Sequence, residues 1–183
     1  NLESATKIEK KYDKASLITA NNVFAHCDDL SGITEAISNL LAPEGLFVFE
    51  VSYLLDVYEK TLFDTIYHEH LSYHSVIPLI KFFQSKNMEL IDVSKVNTHG
   101  GSIRCVVKNS NDNRKINPSV KQFADLERSL LFNKSETFLK FSDKIQEKKK
   151  ELNTFLYKIK SENKSIAGFG APSDRKSTRL NSS

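Results

Sequence analysis

The sequence is poor in the features that usually disclose a function. Its 183 residues hold only two cysteines, Cys27 and Cys105, far apart and in no CxxC pair. That argues against a disulfide framework and fits a reducing, cytoplasmic compartment. No run of about 18 apolar residues occurs, which excludes a membrane-spanning helix and a membrane partner. The opening "NLESATKIEKKYDK" has no apolar core, so no signal peptide is expected in it. It has no methionine either, so the natural start is expected upstream.

Charge of one sign is also scarce. The formal net charge is +3. The string "DRKSTRLNSS" at residues 174–183 reads as translated sequencing-adapter DNA, a non-native tail. It holds Arg175, Lys176 and Arg179 against Asp174, which leaves +1 for residues 1–173. So small an excess implies no nucleic-acid partner. At 39% hydrophobic and 27% charged, the chain has the composition of a soluble globular protein.

Periodicity supplies the outline. "SLITANNV" (16–23) suits a buried strand, and Asp28 or Asp29 can cap the helix after it. Leu30, Ile33, Ile37, Leu40 and Leu41 keep helical spacing until "APEG" breaks it. "LFVFEVS" (46–52) is the next strand, followed by a helix through Leu54 and Tyr58. After a histidine-rich stretch, residues 76–86 return to helical spacing. Residues 88–96 and 101–109 are two strands joined so closely that they should pair antiparallel. The alternation predicts an α/β fold with helices on both faces of the sheet, and ligands outside the carboxyl ends of its strands. An Asn/Asp-rich joint at 109–118 suggests a domain boundary. Residues 119–163 read as a long charged helix, and "KSIAGFGAP" as a new strand entering a glycine turn.

The chemistry concentrates in "IYHEHLSYHS" (66–75), which holds three of the five histidines. Three readings stay open. His68, His70 and His74, completed by His26 or His99, could serve a metal-dependent hydrolase, although the spacing is not HExxH. "YHEH" could be acid/base machinery, with a histidine to take a proton from carbon beside a ketone, a donor for the enolate oxygen and a carboxylate to orient. Or the stretch is a polar loop, and the chain a non-catalytic helical interaction module.

"ANNVFAHCDDL", "LLAPEGLFVFEVSYLLD", "FDTIYHEHLSYHS", "NTHGGSIRCVV" and "IAGFGAP", in that order, resemble a family of S-adenosylmethionine-dependent C-methyltransferases that act on nucleotide-linked keto sugars in deoxysugar biosynthesis. The resemblance spans about residues 9–172. It implies three parts: a zinc-binding N-terminal module, a Rossmann-like class I methyltransferase domain and a second α/β domain. On that pattern, residues 1–108 would be the C-terminal half of the methyltransferase domain. Residues 109–173 would be a helical linker and the start of the second domain. It further implies that His70 is the general base, that Tyr67 and Glu69 hold or polarise the sugar, and that His26 faces the same pocket. Asn21 and Asn22 would lie near the methionine part of the cofactor. The zinc cysteines, a G-x-G-x-G loop and an acidic ribose ligand are missing, so the chain is expected to be the middle of a longer enzyme and inactive alone. Gly100, Gly101, Gly168 and Gly170 would be turn glycines.

Overall fold

The computed structural model describes residues 1–167, so the expected turn at Gly168 and Gly170 and the string at 174–183 lie outside the described residues. The chain divides into two compact units, residues 1–142 and 143–183.

Four strands form the sheet of the first unit: β1 (Ala15–Asn21), β2 (Leu41–Ser52), β3 (Met88–Val96) and β4 (Ser102–Asn109), in the order β1-β2-β4-β3. β1 and β2 run parallel, with helix α2 (Leu30–Leu40) between them in sequence. β4 is antiparallel to both β2 and β3, as the short link between β3 and β4 requires. The expected α/β class is what the chain forms. Asp29 is the N-cap of α2, its carboxylate accepting from Gly32 N at 2.8 Å.

β2 begins five residues earlier than its periodicity suggests, at Leu41 rather than Leu46. The pairing with β1 jumps from Ala15↔Leu41 to Leu17↔Leu46. Pro43 lies in that jump, where its missing N–H costs no ladder bond.

One face of the sheet is packed. Phe47, Phe49 and Val51 of β2 and Ile103, Cys105 and Val107 of β4 are fully buried on it, with Ile18 and Ala20 of β1 partly buried beside them. Phe24 and Phe83 complete an aromatic cluster there. Each such ring contributes about 1.5–3 kcal/mol by leaving water. The alternate residues face the other way. Leu17 is 58% exposed, and Leu46, Val48 and Val106 are only partly buried. The expectation of helices on both faces is therefore not met among the described residues.

Helix α1 (Leu2–Tyr12), unforeseen from its polar sequence, is capped by Asn1 and packs on α2. Helix α3 (Leu54–Glu59) follows β2, and α4 (Val76–Gln84) follows the histidine-rich loop. The long charged helix is broken in two, α5 (Pro118–Ser129) and α6 (Ser135–Ser161). The break lets Phe132 turn inward against Tyr58 and Phe138, with Leu131 left-handed at φ 54°. Glu127 of α5 is buried and ties three elements together. Its carboxylate accepts from the Tyr53 hydroxyl at 3.0 Å and from the backbone N–H groups of Val76 and Ile77 at the start of α4. Burial, then the Glu127 charge, holds the Tyr53 phenol far above its ordinary pKa. Among the described residues no helix is long and apolar enough to cross a membrane. The described part of the second unit is the remainder of α6, with exposed Leu152, Phe155 and Tyr157, and the stretch to residue 167.

Candidate functional site

The site gathers at the carboxyl ends of β1 and β2, where an α/β sheet offers its crevice. At the end of β1 the chain turns through Asn22, left-handed at φ 54°, whose N–H donates to the Glu50 carbonyl at 2.9 Å. A single 3₁₀ turn, Phe24–His26, follows. Phe24 is driven into the aromatic core, and that anchors His26 at the surface above it.

The histidine-rich loop lies against this turn. The N–H groups of Leu71 and Ser72 both reach the Ala25 carbonyl, at 3.0 and 3.3 Å. A second 3₁₀ turn, Phe63–Thr65, presents the Thr65 carbonyl to two side chains: His70 Nδ1 at 2.9 Å and the Tyr73 hydroxyl at 3.0 Å. A carbonyl only accepts, so the neutral His70 ring carries its proton on Nδ1 and its lone pair on Nε2. Nε2 faces the Tyr67 hydroxyl at 3.1 Å. The same logic fixes His26, whose Nδ1 donates to the Glu69 carbonyl at 2.7 Å. The His26 and His70 rings lie 4.9 Å apart, centroid to centroid.

Together these residues line a cleft of about 160 Å³ with Asn22, Ser52, Thr65 and His99. Of the expected site residues, Tyr67, His70, His26 and Asn22 meet in it. The Glu69 side chain is exposed and outside the lining; Glu69 serves the cleft through its carbonyl, which holds His26. Asn21 offers an exposed amide at the end of β1, beside the cleft lining but not in it. Nothing in the sequence marks Ser52 or Thr65 as site residues, and it offers His99 only as a residue completing a metal site. Only His99 carried a signal, as an imidazole in a tight turn beside two glycines.

The metal reading loses its ligands here. His68 is exposed. His74 is buried against the Phe24 ring, with Ser72 Oγ 3.0 Å from its Nε2. Burial pushes its pKa down to about 4. Among the described residues no three His, Cys, Asp or Glu side chains gather into a metal-holding group.

With this geometry in view, the comparisons with known proteins are specific. Residues 97–182 match a family described as the C-methyltransferase C-terminal domain. C-methyltransferase NovU of Streptomyces niveus is 32% identical over 170 residues, which is 93% of this chain. The chain is similar to C-methyltransferases over these stretches. It spans 40% of the length of that relative. Among solved structures, magnesium protoporphyrin IX methyltransferase from Synechocystis PCC 6803, with bound SAH, aligns with a TM-score of 0.42 at 11% identity, over 53% of this chain and 46% of that one. A SAM-dependent methyltransferase from Anabaena variabilis ATCC 29413 aligns at 0.40 and 13%, over 59% and 54%.

Proposed function

We propose that this chain carries the proton-transfer site of a C-methyltransferase acting on a nucleotide-linked keto sugar, as part of a longer enzyme. The observation that carries the reading is the orientation of His70. With Nδ1–H tied to the Thr65 carbonyl, Nε2 offers its lone pair to the cleft and takes the proton from the carbon beside the ketone. Before substrate arrives, the Tyr67 hydroxyl occupies that lone pair; once the ring is protonated, the hydroxyl is released toward the sugar. His26, held in the same tautomer by the Glu69 carbonyl, gives the sugar a second acceptor. The exposed Glu69 carboxylate meets the sugar from the rim.

S-adenosylmethionine supplies an electrophilic methyl group when bound. The residues fit it at one end only: the amides of Asn21 and Asn22, exposed at the carboxyl end of β1, would hold its methionine part. Residues 1–108 would then be the later half of the methyltransferase domain, and 109–173 the lead into a second α/β domain.

The test is His70→Asn in the full-length enzyme. Asparagine keeps polarity and approximate size but is no base. Turnover should fall about 10²- to 10⁴-fold, and exchange of the sugar's α-hydrogen with solvent should stop. The dissociation constant for S-adenosylmethionine should stay put. Unchanged turnover would move the base role to Tyr67 or His26.

A further inference from the structure

His99 belongs to no role assigned so far, yet it lines the cleft with His26 and His70. We propose that His99 is the hydrogen-bond donor that holds the ketone oxygen as charge develops on it. This rests on His70 acting as the base.

Several donors of the cleft are already committed. The His26 and His70 Nδ1–H groups are each committed to a backbone carbonyl. The Thr65 hydroxyl donates to the Leu62 carbonyl at 2.7 Å, and the Tyr67 hydroxyl to His70 Nε2. His99 differs. Its Nε2 faces the Asn22 amide nitrogen at 3.5 Å. An amide nitrogen only donates, so Nε2 accepts and the proton of the neutral ring sits on Nδ1. That N–H has no protein partner among the described residues. It is the one imidazole N–H of the cleft left for a ligand.

The backbone also fixes where His99 stands. β3 and β4 are joined by a turn in which Gly101 N–H donates to the Thr98 carbonyl at 2.9 Å, with His99 at φ 49° and Gly100 at φ 84° between them. Left-handed angles at both central positions favour Gly, Asn, Asp and, less strongly, His. The surroundings enforce these angles. The Thr98 hydroxyl donates to buried Glu50 at 2.7 Å, the Ser102 hydroxyl to the Thr98 carbonyl at 3.1 Å, and Lys60 to the Gly100 carbonyl at 2.5 Å. Gly101 at φ 144° lies so close to Asp56 that a Cβ would sit 2.5 Å from its carboxyl carbon. A turn tied down on both sides in this way holds the His99 ring in one place at the cleft. The charged groups around the turn are Glu50 with Arg104, and Asp56 with Lys60 and Lys95. The Glu50 carboxyl is held below its ordinary range by the Thr98 hydroxyl, then by Arg104.

In the step itself, His70 Nε2 takes the α-proton. The C–H electron pair becomes the new C=C bond, and the carbonyl π pair moves onto oxygen. His99 Nδ1–H donates to that oxygen without giving up its proton, and the transferred proton stays on His70.

The test compares His99→Gly with His99→Asn in the full-length enzyme. Both suit the left-handed turn, so both should melt at or above the wild-type temperature. With a nucleotide-linked keto sugar in deuterated water, His99→Gly should slow α-hydrogen exchange about 10²-fold, as for loss of one oxyanion donor. His99→Asn, whose amide N–H takes the place of Nδ1–H, should recover most of that loss. His70-dependent exchange that ignores His99 overturns this proposal alone. A wild-type enzyme that exchanges nothing overturns the reading of the cleft, and this proposal with it. Nitrogen-15 spectra of the imidazoles in the present chain give a readout free of turnover: His99 protonated on Nδ1 is expected, and protonation on Nε2 instead overturns the assignment.

Discussion

The two faces of the sheet obey different rules. On one, every side chain of β2 from Phe47 to Val51 that points inward is fully buried, and the rings of Phe24, Phe47, Phe49 and Phe83 interlock. On the other, the same strands present half-buried Leu46, Val48 and Val106, an exposed Leu17 and ion pairs. Arg104 meets Glu50 at 3.0 Å there, and buried Lys108 meets Glu89 at 2.7 Å. Stability therefore lives on one face. The cleft borrows its rigidity from that face, because Phe24 anchors His26, and buried His74 pairs with Tyr53 at the end of the histidine-rich loop.

The contrast breaks most visibly in a pair of neighbours. Phe49→Ala removes a ring with aromatic partners at 4.9, 5.2 and 5.6 Å. It should cost about 3–5 kcal/mol, enough to unfold a marginal domain. Val48→Ala, one residue away on the open face, should cost less than about 1 kcal/mol, because its side chain already meets water. Urea denaturation of the two variants measures the difference. Equal losses would mean that the open face is covered in solution.

A somewhat smaller effect follows from His74, which lies on the packed side. Its folded pKa is depressed to about 4 from the ordinary 6.5 by burial. Below pH 6.5 the unfolded chain binds a proton here that the folded chain refuses until pH 4. Stability is thus complete above pH 6.5 and is lost as pH falls through that window, by roughly 3 kcal/mol at 1.36 kcal/mol per pH unit. A His74→Gln variant should lack this part of the pH slope. If its stability falls with pH as steeply as the wild type's, the imidazole is not buried neutral.

How much of this could be read from the residues divides along the same line. Packed-face strands announced themselves through Phe47, Phe49 and Val51, and the β3–β4 pairing through the brevity of "NTHGG". Tyr67 and His70 of the histidine-rich stretch and His26 after β1 line one cleft, as two motifs that follow strands of one βαβ run would. Contacts that depend on backbone geometry were not legible. Glu69 sits beside His70 in sequence, but adjacent residues in a loop point different ways, and only its carbonyl turns inward. His99 is 29 residues from His70, and folding β3 against β4 is what brings it across. Pro43 looked like a breaker because its harmless place in a register jump is a property of the partner strand.

The smallest expected effect tests the open face directly. Leu17 is 58% exposed on β1, whose only partner among the described strands is β2. An outer strand with an exposed leucine is a template for association. Leu17→Lys removes no packing worth naming, so the unfolding free energy should move by no more than about 0.5 kcal/mol. The new charge should still oppose stacking of one chain on another. In sedimentation velocity at rising concentration, wild type should show a growing fraction of larger species, and Leu17→Lys a smaller one. A loss of several kcal/mol on this substitution would place Leu17 inside a packed interface and erase the difference between the two faces. An unchanged tendency to associate would move the adhesive surface elsewhere, with the exposed leucine and phenylalanine of α6, Leu152 and Phe155, next in line.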